Sequence, residues 1–207
     1  MTEAALWDER FAGPDYVFGT APNEFLQSRA RHWRQGSRIL CVADGEGRNS
    51  VWLAQQGMAV DAFDISPVGL AKARRLASSR QVHVDYRLGG CDDWTWPEAM
   101  YDGVAAIFVQ FADPPARARL FANMARCLKV GGILILQGYT PRQLEFKTGG
   151  PPLLANLYTS ELLREAFGAM QILELVEYDA ELAEGARHKG RSALIGLVAR
   201  KAGAAGP

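Results

Sequence analysis

The chain lacks most of the features that commit a sequence to a specialised setting. It has no charge of one sign to spare, because 23 Lys and Arg balance 23 Asp and Glu. Nothing therefore draws it as a whole toward nucleic acid or an anionic membrane. Cysteine is scarce: Cys41, Cys91 and Cys127 are odd in number and share no ligand-like spacing. That argues against a disulfide framework or a metal site and for a reducing, cytoplasmic compartment. No apolar run approaches the roughly 20 residues that span a bilayer. The acidic opening MTEAALWDER has no apolar stretch of the kind a signal peptide needs. Repeats are missing, and low complexity is confined to a tail over 202–207. What remains is a globular composition, 48% apolar in 207 residues, enough for one domain with a sizeable core. Two basic clusters, Arg29, Arg31, Arg34 and Arg38, and Lys72, Arg74 and Arg75, fall on predicted helices and read as solvated faces.

The middle of the chain alternates strand and helix. Ile39–Ala43 is a continuous apolar run, as in a strand buried on both faces of a parallel sheet. A helix follows from Arg48 and stops at Gly57, and Ala59–Phe63 is the second strand. Ser66-Pro67 supplies an N-cap and a first-turn proline for a helix carrying Leu70, Ala73 and Ala77 on one face. Val82–Arg87 and Gly103–Val109 read as the third and fourth strands. Asp113-Pro114-Pro115 then starts a helix with Leu120, Met124, Cys127 and Leu128 at helical spacing. Gly131-Gly132 breaks it before a fifth strand, Ile133–Leu136. After a loop over 148–152, Ser160 is placed to cap a short helix. Ile172–Tyr178 and Ala193–Ala199 close the chain as antiparallel neighbours, with His188 in the turn between them. The expected fold is α/β: a Rossmann-like, doubly wound, mostly parallel seven-stranded sheet with a C-terminal antiparallel hairpin.

Asp44-Gly45-Glu46-Gly47-Arg48-Asn49 lies between the first strand and the first helix of the sheet. Ligands of open α/β sheets bind outside the carboxyl ends of the strands, so this loop is where a cofactor belongs. Asp64 ends the second strand about 20 residues later, where a carboxylate accepts both hydroxyl hydrogens of a ribose. A dinucleotide loop carries a third glycine where this one has Ser50. Asp44 would repel a pyrophosphate, but suits a cofactor with a cationic group nearby, such as the amino group of a methionine moiety. These residues favour methyl transfer over hydride transfer.

The order of elements, Asp44-x-Gly-x-Gly, Asp64 and the closing hairpin together resemble the class I S-adenosylmethionine-dependent methyltransferases over about residues 38–200. Leu128-Lys129-Val130-Gly131-Gly132 resembles their Leu-Lys-Pro-Gly-Gly turn, with Val130 in place of the proline. More narrowly, Gly45-Glu46-Gly47-Arg48-Asn49, Trp7-Asp8 and Phe18-Gly19-Thr20-x-Pro22-Asn23 look like the tellurite-resistance/thiopurine-type branch. Tyr139-Thr140-Pro141 and Thr148-Gly149-Gly150-Pro151 are similar to bacterial members of that branch.

The resemblance implies S-adenosyl-L-methionine as cofactor, with S-adenosyl-L-homocysteine as product. Gly45 and Gly47 would pass under its methionine and ribose parts, Asp64 would hold the ribose, and Ile65 would pack on the adenine. Asp44, Glu46, Asn49 and Tyr16 complete the expected contacts. Where many relatives present an acid to the adenine, Gly90 stands here, followed by Cys91-Asp92-Asp93. Either Asp92 or Asp93 takes over, or backbone near Cys91 suffices. The expected layout is one domain over 1–207: an N-terminal helix and lid segment over 1–35, a cofactor-binding half over 36–140, a substrate-side half over 141–201 and the tail. Trp7, Phe11, Tyr16 and Phe18, among turn residues, suit a lid that excludes water.

Displacement of a methyl from a sulfonium needs mainly proximity and orientation. Tyr139, after the fifth strand, is a candidate to orient an acceptor, and His188 a candidate to deprotonate one. Gln110 and Phe111 follow the fourth strand at the same edge. The acceptor is expected to be a small molecule: a thiol, a selenium or tellurium oxyanion, or a heterocycle. The alternative is a regulatory protein that binds the cofactor without catalysis. A nucleic-acid substrate is disfavoured, because Asp113-Pro114-Pro115-Ala116 lacks the aromatic on which a flipped base would stack. The sequence leaves oligomeric state open.

Overall fold

The computed structural model describes residues 2–185 and 188–203, so the expected tail falls outside the described residues from position 204. The strands are β1 (Arg38–Val42), β2 (Ala59–Asp64), β3 (Asp85–Leu88), β4 (Tyr101–Ile107), β5 (Leu128–Tyr139), β6 (Met170–Glu184) and β7 (His188–Lys201). They form one sheet in the order β3-β2-β1-β4-β5-β7-β6. The pairs from β3 to β5 are parallel, and β7 runs antiparallel to both β5 and β6. The doubly wound sheet with its closing hairpin is therefore as the sequence led us to expect.

Alternation along the strands fills two cores. Leu40, Val42, Val104, Ala106, Leu134 and Leu136 pack with α5 (Pro114–Cys127) and α7 (Ser160–Ala166) on one face. On the other, Ile39, Cys41, Val60, Ala62, Ile133 and Ile135 pack with α2 (Glu24–Arg29), α3 (Arg48–Gln55) and α4 (Pro67–Ser79). The chain before α2 carries one more helix, α1 (Glu3–Phe11), and a short helix, α6 (Gln143–Phe146), follows β5. Helix starts follow the capping residues. Ser66 Oγ accepts from the N–H of Gly69 at 2.9 Å, and Asp113 Oδ1 from that of Ala116 at 2.9 Å.

Several boundaries differ, each for a local reason. β3 begins at Asp85 rather than Val82, because Gln81 turns left-handed (φ 56°) and the N–H of Val82 still bonds back to Ala77. β4 stops at Ile107, because Phe108 also turns left-handed (φ 58°). Leu128, assigned by its spacing to a helix, opens β5; Gly131-Gly132 lies inside that strand, where the register against β4 shifts. Thr159, not Ser160, caps α7; Ser160 donates instead to Glu177 at 2.7 Å. The hairpin strands are much longer than their apolar centres. Residues 177–184 alternate exposed and inward even where the inward residue is Glu184, a charge that hides the period from a hydrophobicity reading. His188 is accordingly the first residue of β7, paired in register with Glu184, and not a solvent-exposed turn residue.

Candidate active site

The carboxyl end of β1 enters a tight loop. Ala43 (φ 48°), Gly45 (φ 60°) and Gly47 (φ 89°) are all left-handed before α3 begins. Gly47 is needed for packing: a Cβ there would lie 2.7 Å from Cβ of Ala73 and 2.9 Å from the Tyr86 hydroxyl. It is walled by α4 and β3, and does not present the open approach to a ligand that the sequence suggested. Asp44 accepts from the N–H of Ser50 at 3.3 Å and from its hydroxyl. Asp64, at the end of β2, accepts from the N–H groups of Gly45 (2.8 Å) and Ser66 (2.9 Å). Burial raises both carboxyls, that of Asp44 to about 7, and the charge of Asp64 adds to the effect on Asp44. The two acids stand at neighbouring strand ends, Asp64 buried and Asp44 half-buried, and the charge of Asp64 disfavours that of Asp44.

An N-terminal strap closes over these strand ends. Phe11 is 1% exposed and stands over Gly45, a Cβ of which would meet its ring at 3.3 Å. Asp8 accepts from the Ser66 hydroxyl and from the N–H of Val68. Lys72, expected on a solvated face, is 1% exposed. Its ammonium pairs with Glu46 and donates to the carbonyls of Phe11 (3.3 Å), Gly13 (2.9 Å) and Asp15. The helical period around it placed it among Arg74 and Arg75, which are exposed; only the strap, distant in sequence, makes it a buried anchor. Glu46 accepts from the N–H of Val17 at 2.7 Å, and Tyr16 donates its hydroxyl to the Lys72 carbonyl at 3.1 Å. Glu46 and Tyr16 thus hold the strap to the loop. At its far end the strap abuts the β6–β7 hairpin, where a Cβ on Gly185 would lie 2.4 Å from the Val17 carbonyl.

Beside the loop lies a buried polar network. Arg48 Nη2 donates to Glu184 Oε2 at 2.7 Å, both side chains being 8% exposed. Asn23 Nδ2 donates to Glu184 Oε1 (2.8 Å) and Gln137 Oε1 (2.6 Å), and the N–H of Asn23 donates to Asn49 Oδ1 (2.9 Å). His188 Nδ1 lies 3.8 Å from Glu184 Oε2. The imidazole is ringed by Phe18 (centroids 4.6 Å apart), Phe108 (4.4 Å) and Tyr139 (5.8 Å). Burial and the Arg48 guanidinium hold His188 below its ordinary value, against the opposing pull of Glu184, so it is neutral near pH 7. The Tyr139 ring stacks on Phe108, and its buried hydroxyl has no partner. Arg48 Nη1 and His188 Nδ1 are likewise buried without a hydrogen-bond partner. Gln110 turns inward to the backbone: its Nε2 donates to the carbonyls of Tyr139 (2.9 Å) and Asn156 (3.0 Å), fixing the end of β5.

Across from β2, a Cβ on Gly90 would lie 3.5 Å from Ile65 Cδ1 and 3.4 Å from Asp93 Oδ2, which brings Ile65, Cys91 and Asp93 to one corner. Asp92 is occupied elsewhere, in an exposed ion pair with Arg119 (2.8 and 3.0 Å). The structure thus gathers Asp44, Gly45, Asp64, Ile65 and Cys91 along the strand ends, and Tyr139 with His188 beside them. Glu184, Arg48 and Asn23 were missed by the sequence reading. Arg48 and Asn23 stand in the two motifs quoted for the narrower resemblance, but nothing local pairs them with Glu184, since that pairing spans up to 161 residues of chain. Among the described residues no group of His, Cys, Asp and Glu could hold a metal ion.

The family described as "Methyltransferase domain" matches residues 39–132, from β1 through the strand-end acids to Gly132 within β5. Residues 39–132 are thus similar to a methyltransferase domain. This domain class takes S-adenosyl-L-methionine, and the residues present fit it: strand-end acids for an ammonium and a ribose, and a corner of Ile65 and Asp93 for an adenine. The ubiquinone/menaquinone biosynthesis C-methyltransferase UbiE of Geobacter sulfurreducens is 29% identical over 121 residues, which cover 56% of this chain and 47% of that one. The chain spans less than half the length of the curated relatives it matches. By structure, the methyltransferase fold is shared with a protein solved in work on converting a disulfide bond into a thioacetal group during echinomycin biosynthesis. Its TM-score is 0.80 at 16% identity, over 99% of this chain and 93% of that one. TehB from Haemophilus influenzae gives 0.71 at 17% identity, over 96% and 66%.

Proposed function

We propose that the protein transfers the methyl group of S-adenosyl-L-methionine to a small-molecule acceptor and releases S-adenosyl-L-homocysteine. The observation that carries this reading is the pair of carboxylates at adjoining strand ends beneath a closed strap, Asp64 buried and Asp44 half-buried with its charge opposed by that of Asp64. Asp64 spends one acceptor direction of each oxygen on a backbone N–H and keeps the others for ribose hydroxyls. Asp44 faces the ammonium of the methionine part. Ile65, Cys91 and Asp93 receive the adenine, while Glu46, Asn49, Tyr16 and Gly47 act by shaping the loop and strap.

When bound, the cofactor supplies a methyl carbon made electrophilic by a cationic sulfur. The chain supplies proximity, water exclusion by the strap, and a place for a proton. Tyr139 offers its unpartnered hydroxyl to orient the acceptor, and neutral His188 takes the acceptor's proton. The narrower kinship to the tellurite-resistance/thiopurine-type branch rests on Gly45–Asn49, Trp7-Asp8 and Phe18–Asn23. These are the segments that build the loop, strap and network. Thiols and heterocycles are therefore the first acceptors to try. The balanced charge argues against nucleic acid, and three free cysteines suit the cytoplasm; no described helix is long and apolar enough to cross a membrane.

The test is S-adenosylhomocysteine formation on a panel of thiols, heterocycles, selenite and tellurite, run alongside calorimetric cofactor binding. Acceptor-dependent product supports the reading. Tight cofactor binding with no turnover on any acceptor would favour the non-catalytic regulatory alternative.

A further inference from the structure

Glu184 is 9% exposed and is the hub of the buried network. It sits at an inward position of β6, opposite His188 in the hairpin register. One oxygen takes Asn23 Nδ2 at 2.8 Å; the other takes Arg48 Nη2 at 2.7 Å and faces His188 Nδ1 at 3.8 Å, a charge contact rather than a hydrogen bond, on a nitrogen that has no other partner. A carboxylate fixed by two donors from α3 and from the start of α2 cannot follow the imidazole; the imidazole must orient to it. We propose that Glu184 is a positioning residue, drawing the proton of His188 onto Nδ1 so that Nε2 stands free to take the proton of a protic methyl acceptor. This rests on the reading of His188 as proton acceptor in methyl transfer.

The acceptor's lone pair forms the new bond to the methyl carbon, and the methyl–sulfur pair stays on sulfur as a neutral thioether. The acceptor's proton passes to Nε2, giving an imidazolium that Glu184 stabilises and solvent later discharges. The substrate class follows from the same groups. Glu184 offsets the charge of Arg48, and the walls are Phe18, Phe108 and Tyr139, so the site suits a neutral acceptor that arrives with its X–H intact. A hydroxyl, a thiol or a heterocyclic N–H qualifies; an oxyanion, already ionised, has no use for the base and would face Glu184.

The charged and titratable groups that act on His188 are Glu184 on β6, Arg48 on α3, Arg10 on α1 and Tyr139 on β5. The experiment is 15N NMR of the imidazoles across pH in the full chain. Only His32 and His83 need to be told apart from His188. The expected result is an Nδ1–H tautomer of His188 with a midpoint below that of an ordinary histidine. In Glu184→Gln the tautomer preference should be lost and the midpoint should fall further, by about one pH unit, the scale of one close opposite charge. Because Glu184→Gln leaves Arg48 buried and unpaired, the double variant Arg48→Met/Glu184→Gln is measured too. There the midpoint should return toward the wild-type value while the tautomer preference stays lost, which separates orientation from net field. An unchanged tautomer in both variants overturns the positioning role and leaves the methyl-transfer reading intact. The expected tautomer shift, with full turnover retained in His188→Gln on an active acceptor, overturns the proton-acceptor reading and the catalytic role of Glu184 with it.

Discussion

Asp44 allows the sharpest quantitative test of the cofactor assignment. Burial, with the nearby charge of Asp64, pushes its carboxyl up to about 7 in the free protein. An ammonium bound opposite would hold the carboxylate ionised well below that. Binding then expels the proton, so affinity weakens by a factor of 1 + 10^(7 − pH) as pH falls. Between pH 8 and pH 6 that is roughly tenfold, about 1.4 kcal/mol. The sign in the free protein runs the other way: a carboxyl raised on folding binds more protons when native, so its contribution to stability declines as pH rises from about 4 to 7. Ligand affinity and unliganded stability should therefore move in opposite directions over that window. Calorimetry with S-adenosylhomocysteine, whose ammonium stays protonated throughout, measures the first; urea unfolding measures the second. Asp44→Asn should flatten both slopes and weaken binding at pH 8 by roughly 1–3 kcal/mol, the scale of a hydrogen bond to a charged group. A wild-type affinity that is flat from pH 6 to pH 8, or a slope that survives in Asp44→Asn, would refute the placement of the ammonium at Asp44.

Asp64→Ala should weaken S-adenosylhomocysteine binding by roughly 1–3 kcal/mol in a folded protein, read by calorimetry; unchanged affinity would remove the ribose assignment. Gly47→Val should lower the unfolding midpoint as well as abolish binding, because the added side chain meets Ala73 and Tyr86 and must adopt φ 89°. Normal thermal stability in that variant would contradict the packing account. Lys72→Met should raise amide exchange over residues 11–18 by at least about tenfold without ligand, since it frees three strap carbonyls and strands the buried Glu46. S-adenosylhomocysteine should restore part of the protection if the strap is a lid; equal exchange with and without ligand would make it a fixed cap.

Much of the fold was legible because its signals are local. Ile39–Val42, Ser66-Pro67 and Asp113-Pro114-Pro115 each state their structure within a few residues, and the order of such segments gives the sheet. The glycine loop and Asp64 were legible because the crevice of such a sheet has a fixed address. What sequence could not show depends on distant partners. Lys72 reads as one more surface cation until residues 11–15 fold over it, and Glu184 as hairpin polarity until Arg48 and Asn23 meet it. Asp92 and Asp93 are indistinguishable in sequence, and only the packing of α5 draws Asp92 away to Arg119. Gly47 reads in sequence as facing a ligand, whereas a Cβ there would meet Ala73 and Tyr86, because pattern alone does not say which side of a loop is walled.

The most direct test of the central claim is a crystal structure of the protein with S-adenosylhomocysteine. The account predicts the ribose hydroxyls within hydrogen-bonding distance of Asp64, the ammonium at Asp44, the adenine beside Ile65 and Asp93, and the sulfur turned toward Tyr139 and His188 under a closed strap. A ligand lodged anywhere other than the carboxyl ends of β1 and β2, or bound there with its ribose away from Asp64, would contradict it.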